Sequence, residues 1–156
     1  MENEVLFTEI RNGNVAKVKL ILDENIEAIN IRDQRGSTPL ILATYYNHEE
    51  IVDMLLDKGA AINAKDSSGN TALMGICFKG FTKIAENLIA HGADINVRNS
   101  MGGTCLIYAA TFNHLNIAKL LIVNGADVTV KDARGNSALD HAKMQGSADM
   151  ISLLEK

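Results

Sequence analysis

This chain is poor in the residues that interrupt or cross-link a polypeptide. Its 156 residues include one proline and two cysteines, and it has no serine, glycine or glutamine tract, which argues against disordered segments. No apolar run approaches the length of a membrane span, and the opening residues Met1-Glu2-Asn3-Glu4 are acidic where a secretory signal would be basic. A cytoplasmic protein without a membrane partner is therefore expected. The net charge of -4 disfavours non-specific binding to nucleic acid while leaving room for a local basic patch.

What the sequence has instead is a period. Gly36, Gly69, Gly102 and Gly135 lie 33 residues apart, Leu40, Leu73, Leu106 and Leu139 keep the same step, and Gly59, Gly92 and Gly125 form a second series in phase with them. Phased series of this kind mark an array of one supersecondary unit. The unit is readable from its own chemistry. Asp33 and Gly36 have the composition of a tight turn, in which a carboxylate takes backbone amides and glycine accepts a positive φ. Thr38 then stands as an N-cap and Pro39 at the first helical position, so a helix is expected from about Thr38. Leu40, Leu42 and Ala43 give it an apolar side, and Asn47 ends it in the column of Gly80 and Gly146, residues that share a tolerance of the left-handed conformation. Ile51, Val52, Leu55 and Leu56 form the stripe of a second helix that carries Asp53, Asp57 and Lys58 on its other side and closes at Gly59. Such a unit cannot bury its apolar face alone, so the expected fold is an all-α solenoid of stacked neighbours with short turns projecting at one edge.

The skeleton Asp33-x-x-Gly36-x-Thr38-Pro39-Leu40-x-x-Ala43, with Gly92-Ala93-Asp94-Ile95-Asn96 and Gly125-Ala126-Asp127-Val128, resembles the ankyrin repeat, and the resemblance spans almost the whole chain. It implies one domain over residues 1–156 of about five helix-turn-helix units: 1–29 as an N-terminal cap, 30–62, 63–95, 96–128, and 129–156 as a C-terminal cap that would complete the chain.

The copies depart from one another in informative places. The first unit lacks the turn and the Thr-Pro-Leu start. Its first helix is expected over Glu2 to Asn12, followed by a Gly13-Asn14 loop and a second helix with Val15, Val18, Leu20, Ile21 and Leu22, while Glu2, Glu4, Glu9, Arg11 and Lys17 suit a polar outer face. Five residues rather than four separate Asn25 from Asn30, which predicts a wider connection there. Gly75 stands inside a helix in the column of Leu42, Tyr108 and His141, and is expected to leave space for Tyr108. Cys105 replaces the proline and Asn99 the turn aspartate, weakening local preorganisation but not register. Cys77 shares a column with Thr44 and Ala110, and Cys105 one with Ala72 and Ala138, so both are read as reduced structural thiols.

A catalytic constellation is not found. His48 and His114 share the column before the second helix, where the resemblance implies structural hydrogen bonding. His91 and His141 show no metal-ligand spacing either, Glu49-Glu50 suits a helix N-terminus, and Gly102-Gly103 belongs to a turn rather than a phosphate loop. No catalytic residue, cofactor or metal is expected, and the chain is not read as an enzyme.

The resemblance implies that a partner protein meets the turn tips and the adjoining side of the first helices. Those columns hold Arg32, Arg35, Lys65, Arg98, Met101, Lys131 and Arg134 on the turns, and Tyr45, Tyr46, Phe78, Lys79 and Phe112 on the helices. Four of the seven aromatic residues fall in the two helix columns, where they either anchor a partner or pack between adjacent units. The cations Arg32, Lys65, Arg98 and Lys131 either attract an acidic partner or pair locally with the turn aspartates. Carboxylates such as Glu50, Asp53, Asp57 and Glu86 belong to the opposite face. The expected function is non-catalytic protein binding by a monomer through its concave face, the partner offering an acidic and apolar surface. The alternatives are nucleic-acid or acidic-ligand binding through the basic column, and a self-associating scaffold.

Overall fold

The computed structural model describes residues 2–156, the side chain of Glu2 excepted. Helices α1 (Glu2–Arg11) and α2 (Val15–Glu24) are followed by a 3-10 turn (Ile26–Asn30), then by α3 (Pro39–Tyr45), α4 (Glu49–Asp57), α5 (Ala72–Lys79), α6 (Thr82–Ala90), α7 (Cys105–Thr111), α8 (Leu115–Val123), α9 (Ala138–Gln145) and α10 (Ala148–Glu155). Among the described residues there is no strand, only an isolated bridge between Lys131 and Ser137. No helix is long and apolar enough to cross a membrane.

Each odd-numbered helix from α3 onward starts where its cap dictates. Thr38, Thr71 and Thr104 accept from the amides of Ile41, Met74 and Ile107, and Ser137 and Asp140 form a reciprocal capping box. Ahead of each cap, one carboxylate oxygen of Asp33 accepts from the amides of Arg35 and Ser37, and Asp66 and Asp132 repeat the pair. The turn then closes through a glycine, Gly36 at φ 76°. Helix ends at Asn47 (φ 60°) and Gly80 (φ 83°) take the left-handed conformation that their column calls for.

Two layers result. Helices α1, α3, α5, α7 and α9 stack in order, and α2, α4, α6, α8 and α10 back them. The core is built of columns one repeat apart. Leu40, Leu73 and Leu106 are buried in the first layer, and Leu55, Leu88, Leu121 and Leu154 in the second. Cys77 and Cys105 are free and buried in the small-residue columns. Burial pushes the Cys77 thiol well above its ordinary range, and the neighbouring Cys105 adds to the rise.

Polar stitches run within units and between them. Asn30, Asn63 and Asn96, at the start of their units, each accept from a backbone amide near the end of the same unit, on Ala61, Asp94 and Asp127, at 2.9, 2.9 and 2.8 Å. Turn tips are tied one to the next by Ser67 N–H to Arg35 C=O, Ser100 N–H to Ser68 C=O, and Ala133 N–H to Met101 C=O. His48 and His114 reach back to the carbonyls of Arg11 and Phe78 at 3.0 and 3.1 Å, the structural role implied for that column.

Leu20 faces solvent at 58% exposure, because Val18 and Leu22 already fill the inner side of α2. Three expectations need correction. Glu9 is half-buried and lies 3.7 Å from Lys17. No side chain occupies the space beside Gly75: a Cβ there would meet nothing within 4 Å, and Tyr108 instead lies over Gly103. Asn99 does not loosen its turn. Its carbonyl accepts from Met101 and Gly103 as an aspartate would, and its amide donates to Asn70 and to the Tyr108 hydroxyl, both at 2.8 Å.

Candidate functional site: the concave face

The first helices and the turns enclose an open groove of about 1140 Å³ over the first three helix pairs. Its floor is α3 and α5, through Ile41, Leu42, Tyr45, Tyr46, Gly75 and Phe78. One wall is α1, through Phe7, Thr8 and Arg11, and the edge is formed by the turns at 32–37 and 66–71. Five of the residues singled out in the sequence line it: Arg32, Arg35, Tyr45, Tyr46 and Phe78. Lys79 adjoins them, its ammonium 4.5 Å from the Tyr45 ring centroid. Phe112 adjoins Phe78, edge to face at 5.8 Å between centroids. Met101, Lys65, Arg98, Lys131 and Arg134 do not line the groove and follow the turn edge.

The aromatic residues divide between the two roles considered for them. Tyr45, Tyr46 and Phe112 are 47%, 43% and 50% exposed, with Tyr45 and Tyr46 in edge contact at 5.3 Å. Phe78 is half-buried between units, its ring 4.4 Å from that of Tyr108. Phe112 therefore stands on a packed aromatic base, while Tyr45 and Tyr46 brace each other, contacts that limit ring motion before any ligand arrives.

The cation column does not pair with the turn aspartates. Arg32 donates to the carbonyls of Gly36 and Lys65, and Arg98 to those of Gly102 and Lys131, so the two arginines clamp each turn to the next through the backbone. Asp33 and Asp132 have other partners: Arg11 at 3.8 Å and His141 at 2.8 Å. For Asp132, burial pushes the carboxyl up, but the bonds from His141, Asn136 and Arg134 outweigh it and hold the group below its ordinary value.

Charge is sorted between the two faces. In residues 31–46, 64–79, 97–112 and 130–145, which make the turns and α3, α5, α7 and α9, eight cations accompany four carboxylates, a balance of +4 in a chain of -4. All four carboxylates, on Asp33, Asp66, Asp132 and Asp140, accept backbone amides of their own turns. Arg35, Lys65, Lys79, Lys131 and Arg134 are exposed. Along the turns and α3, α5, α7 and α9 a ligand thus meets a more cationic surface than the composition suggests, while the α1 wall adds Glu4 and Arg11. Glu50, Asp53, Asp57 and Glu86 are exposed on α4 and α6. No group of three or more His, Cys, Asp or Glu among the described residues could hold a metal ion.

Sequence reasoning missed the α1 wall and the opening at Gly75. Setting Gly13 on Asn47 would have placed Arg11 in the column of Tyr45 and Thr8 in that of Leu42, but without the Thr-Pro-Leu start the first unit offered no obvious register.

The family model for ankyrin repeats (3 copies) matches residues 2–66 and 60–132. Repeats of this family are generally protein–protein interaction modules. With that match over most of its length, and with paired helices, capped turns and unit-to-unit stitches repeating at its sequence period, the chain belongs to the ankyrin repeat family.

Proposed function

We propose that this chain, as one array of five units over residues 1–156, is a non-catalytic cytoplasmic module that binds a partner protein through its concave face. The partner would offer an acidic and apolar surface. The observation that carries the reading is the coincidence of exposed Tyr45, Tyr46 and Phe112 with a cationic surround whose carboxylates are turned onto backbone amides. Rigid aromatic anchors lose little entropy on binding, so a few of them supply most of the affinity while the charges set orientation. Nucleic acid is the weaker reading, because Arg32 and Arg98 are engaged by carbonyls and the remaining cations are spread along a long edge.

The test is affinity capture from the native host's soluble extract, wild type beside Tyr46→Ala/Phe112→Ala, with folding checked by circular dichroism. A protein retained by the wild type and weakened by more than ~2 kcal/mol in the variant supports the reading. Equal retention by both overturns it, and an oligonucleotide bound at low salt and released steeply at moderate salt would replace it with the nucleic-acid alternative.

A further inference from the structure

The turn residues Asp33, Asp66, Asn99 and Asp132 differ in what meets their outer atom. One carboxylate oxygen of Asp33, Asp66 and Asp132 accepts two backbone amides of its own turn. The second oxygen of Asp132 accepts from His141 at 2.8 Å, that of Asp33 lies 3.8 Å from the Arg11 guanidinium, and the Asn99 amide donates to the Tyr108 hydroxyl at 2.8 Å. The second oxygen of Asp66 has no hydrogen bond or ion pair among the described residues, and it is open to solvent. Position 75 explains the difference. His141 and Tyr108 each stand nine residues after the turn residue they meet, and the residue nine after Asp66 is Gly75. The same glycine leaves a ring uncovered. Tyr108 packs on Phe78 of the preceding unit at 4.4 Å between centroids, and Phe78 is half-buried. One repeat earlier those two positions are Gly75 and Tyr45, and Tyr45 is 47% exposed. Asp66, Gly75 and Tyr45 all line the concave groove.

We infer that a tyrosine of the partner completes this unit, its hydroxyl donating to the free oxygen of Asp66 and its ring packing on Tyr45. This rests on the proposed concave-face function and names one side chain that the face takes. An ionised carboxylate only accepts, so what meets Asp66 must carry a donor. An aromatic body answers Tyr45 as Tyr108 answers Phe78. Charge favours a phenol over lysine or arginine. Arg11, Arg32 and Arg35 line the groove beside Glu4 and Asp33, and a phenol brings a donor that is repelled by neither sign.

A phage-displayed library of random short peptides, panned on the full chain, tests this. Enriched peptides are then synthesised with a fluorescent label and titrated by anisotropy. The expected result is a shared tyrosine, with affinity falling about tenfold when it becomes phenylalanine. Gly75→Tyr supplies the ring from within the chain, so it should release the same peptides and melt at a higher temperature than Gly75→Ala. Gly75→His, which copies the His141 arrangement, is the second variant should the tyrosine disturb folding. Asp66→Asn should retain the peptides, because an amide donates to a phenol as Asn99 does to Tyr108, whereas it would release a lysine or arginine. Absence of a shared tyrosine, equal binding after its change to phenylalanine, or loss of binding in folded Asp66→Asn overturns the inference. If the folded position-75 variants bind normally but Tyr46→Ala/Phe112→Ala does not, the tyrosine site falls while the concave-face function stands; if none of them loses binding, both fall.

Discussion

The ring of Tyr108 lies directly over Gly103: a Cβ at position 103 would stand 2.5 Å from the Tyr108 hydroxyl and 2.6 Å from its ring carbons. The same hydroxyl accepts a hydrogen bond from Asn99. Gly103, Asn99 and Tyr108 therefore form one local substitution of the repeat, in which a neutral amide replaces the turn carboxylate so that it can donate. Gly103→Ala should destabilise the fold by about 1–3 kcal/mol through overpacking. In a Tyr108→Leu background that cost should shrink, and urea unfolding of the two singles and the double gives the coupling. Additive costs would show that the ring moves aside freely.

Gly75→Ala should act in the opposite sense. With no atom in the way and a helical backbone, the substitution removes the glycine penalty and should raise stability by about 1 kcal/mol in urea titrations. A loss of stability would mean that the space beside Gly75 is filled in solution.

These two glycines show how far the fold could be read from the chain and where reading stopped. Thr38, Asp33 and Asn47 act through bonds to residues within a few positions, so their roles follow from local chemistry and are repeated in every unit. Tyr108 lies over the glycine five residues before it rather than over Gly75 in the preceding unit, and no periodicity reports which way a side chain turns. The cations' partners stayed unread for the same reason: the Arg32 guanidinium, beside Asp33 in sequence, reaches the carbonyl of Lys65 in the next turn, 33 residues away. The groove was legible only as columns, and its α1 wall lay in the unit whose register had slipped.

Gly80 and Gly59 offer a matched comparison. Both have positive φ, at 83° and 89°, but a Cβ on Gly80 would come 2.5 Å from the His114 ring and one on Gly59 would meet nothing. Gly59→Ala should cost about 1–2 kcal/mol, the backbone contribution alone. Gly80→Ala should cost measurably more, and His114→Ala should relieve part of the excess. Equal costs in urea unfolding would show that the histidine does not pack on its loop.

Acid should loosen the stack. The Asp23 carboxyl is lowered to about 2, first by the hydrogen bond from Lys19 and then by that from Lys58, each at 2.7 Å, and Lys58 belongs to the next unit. Hydrogen bonds from Ser137 hold Asp140 below its ordinary value as well. A carboxyl with a depressed folded value contributes stability that is complete above its unfolded value and is lost as pH falls through the folded one. The melting temperature should therefore fall between about pH 4 and pH 2. Asp23→Asn should flatten that limb while changing little above pH 5, since an exposed pair contributes modestly. An unchanged acid limb in the variant would assign the loss to the other carboxylates.

Arg35 and Arg134 stand on turns at opposite ends of the positive edge, and neither side chain has an ion-pair partner among the described residues. If the concave face meets an acidic partner, these charges steer the encounter more than they hold the complex. Arg35→Glu/Arg134→Glu should slow association with the captured partner by about tenfold at low salt. The gap should close as ionic strength reaches about 0.15 M, where the screening length is near 8 Å. Tyr46→Ala should show the complementary pattern, an unchanged association rate and faster dissociation, because a buried anchor acts after contact. Stopped-flow association at two salt concentrations separates the cases. If the reversed charges leave the low-salt rate unchanged, the partner's footprint excludes the turn edge, and the binding surface contracts to the aromatic floor around Tyr45, Tyr46 and Phe112.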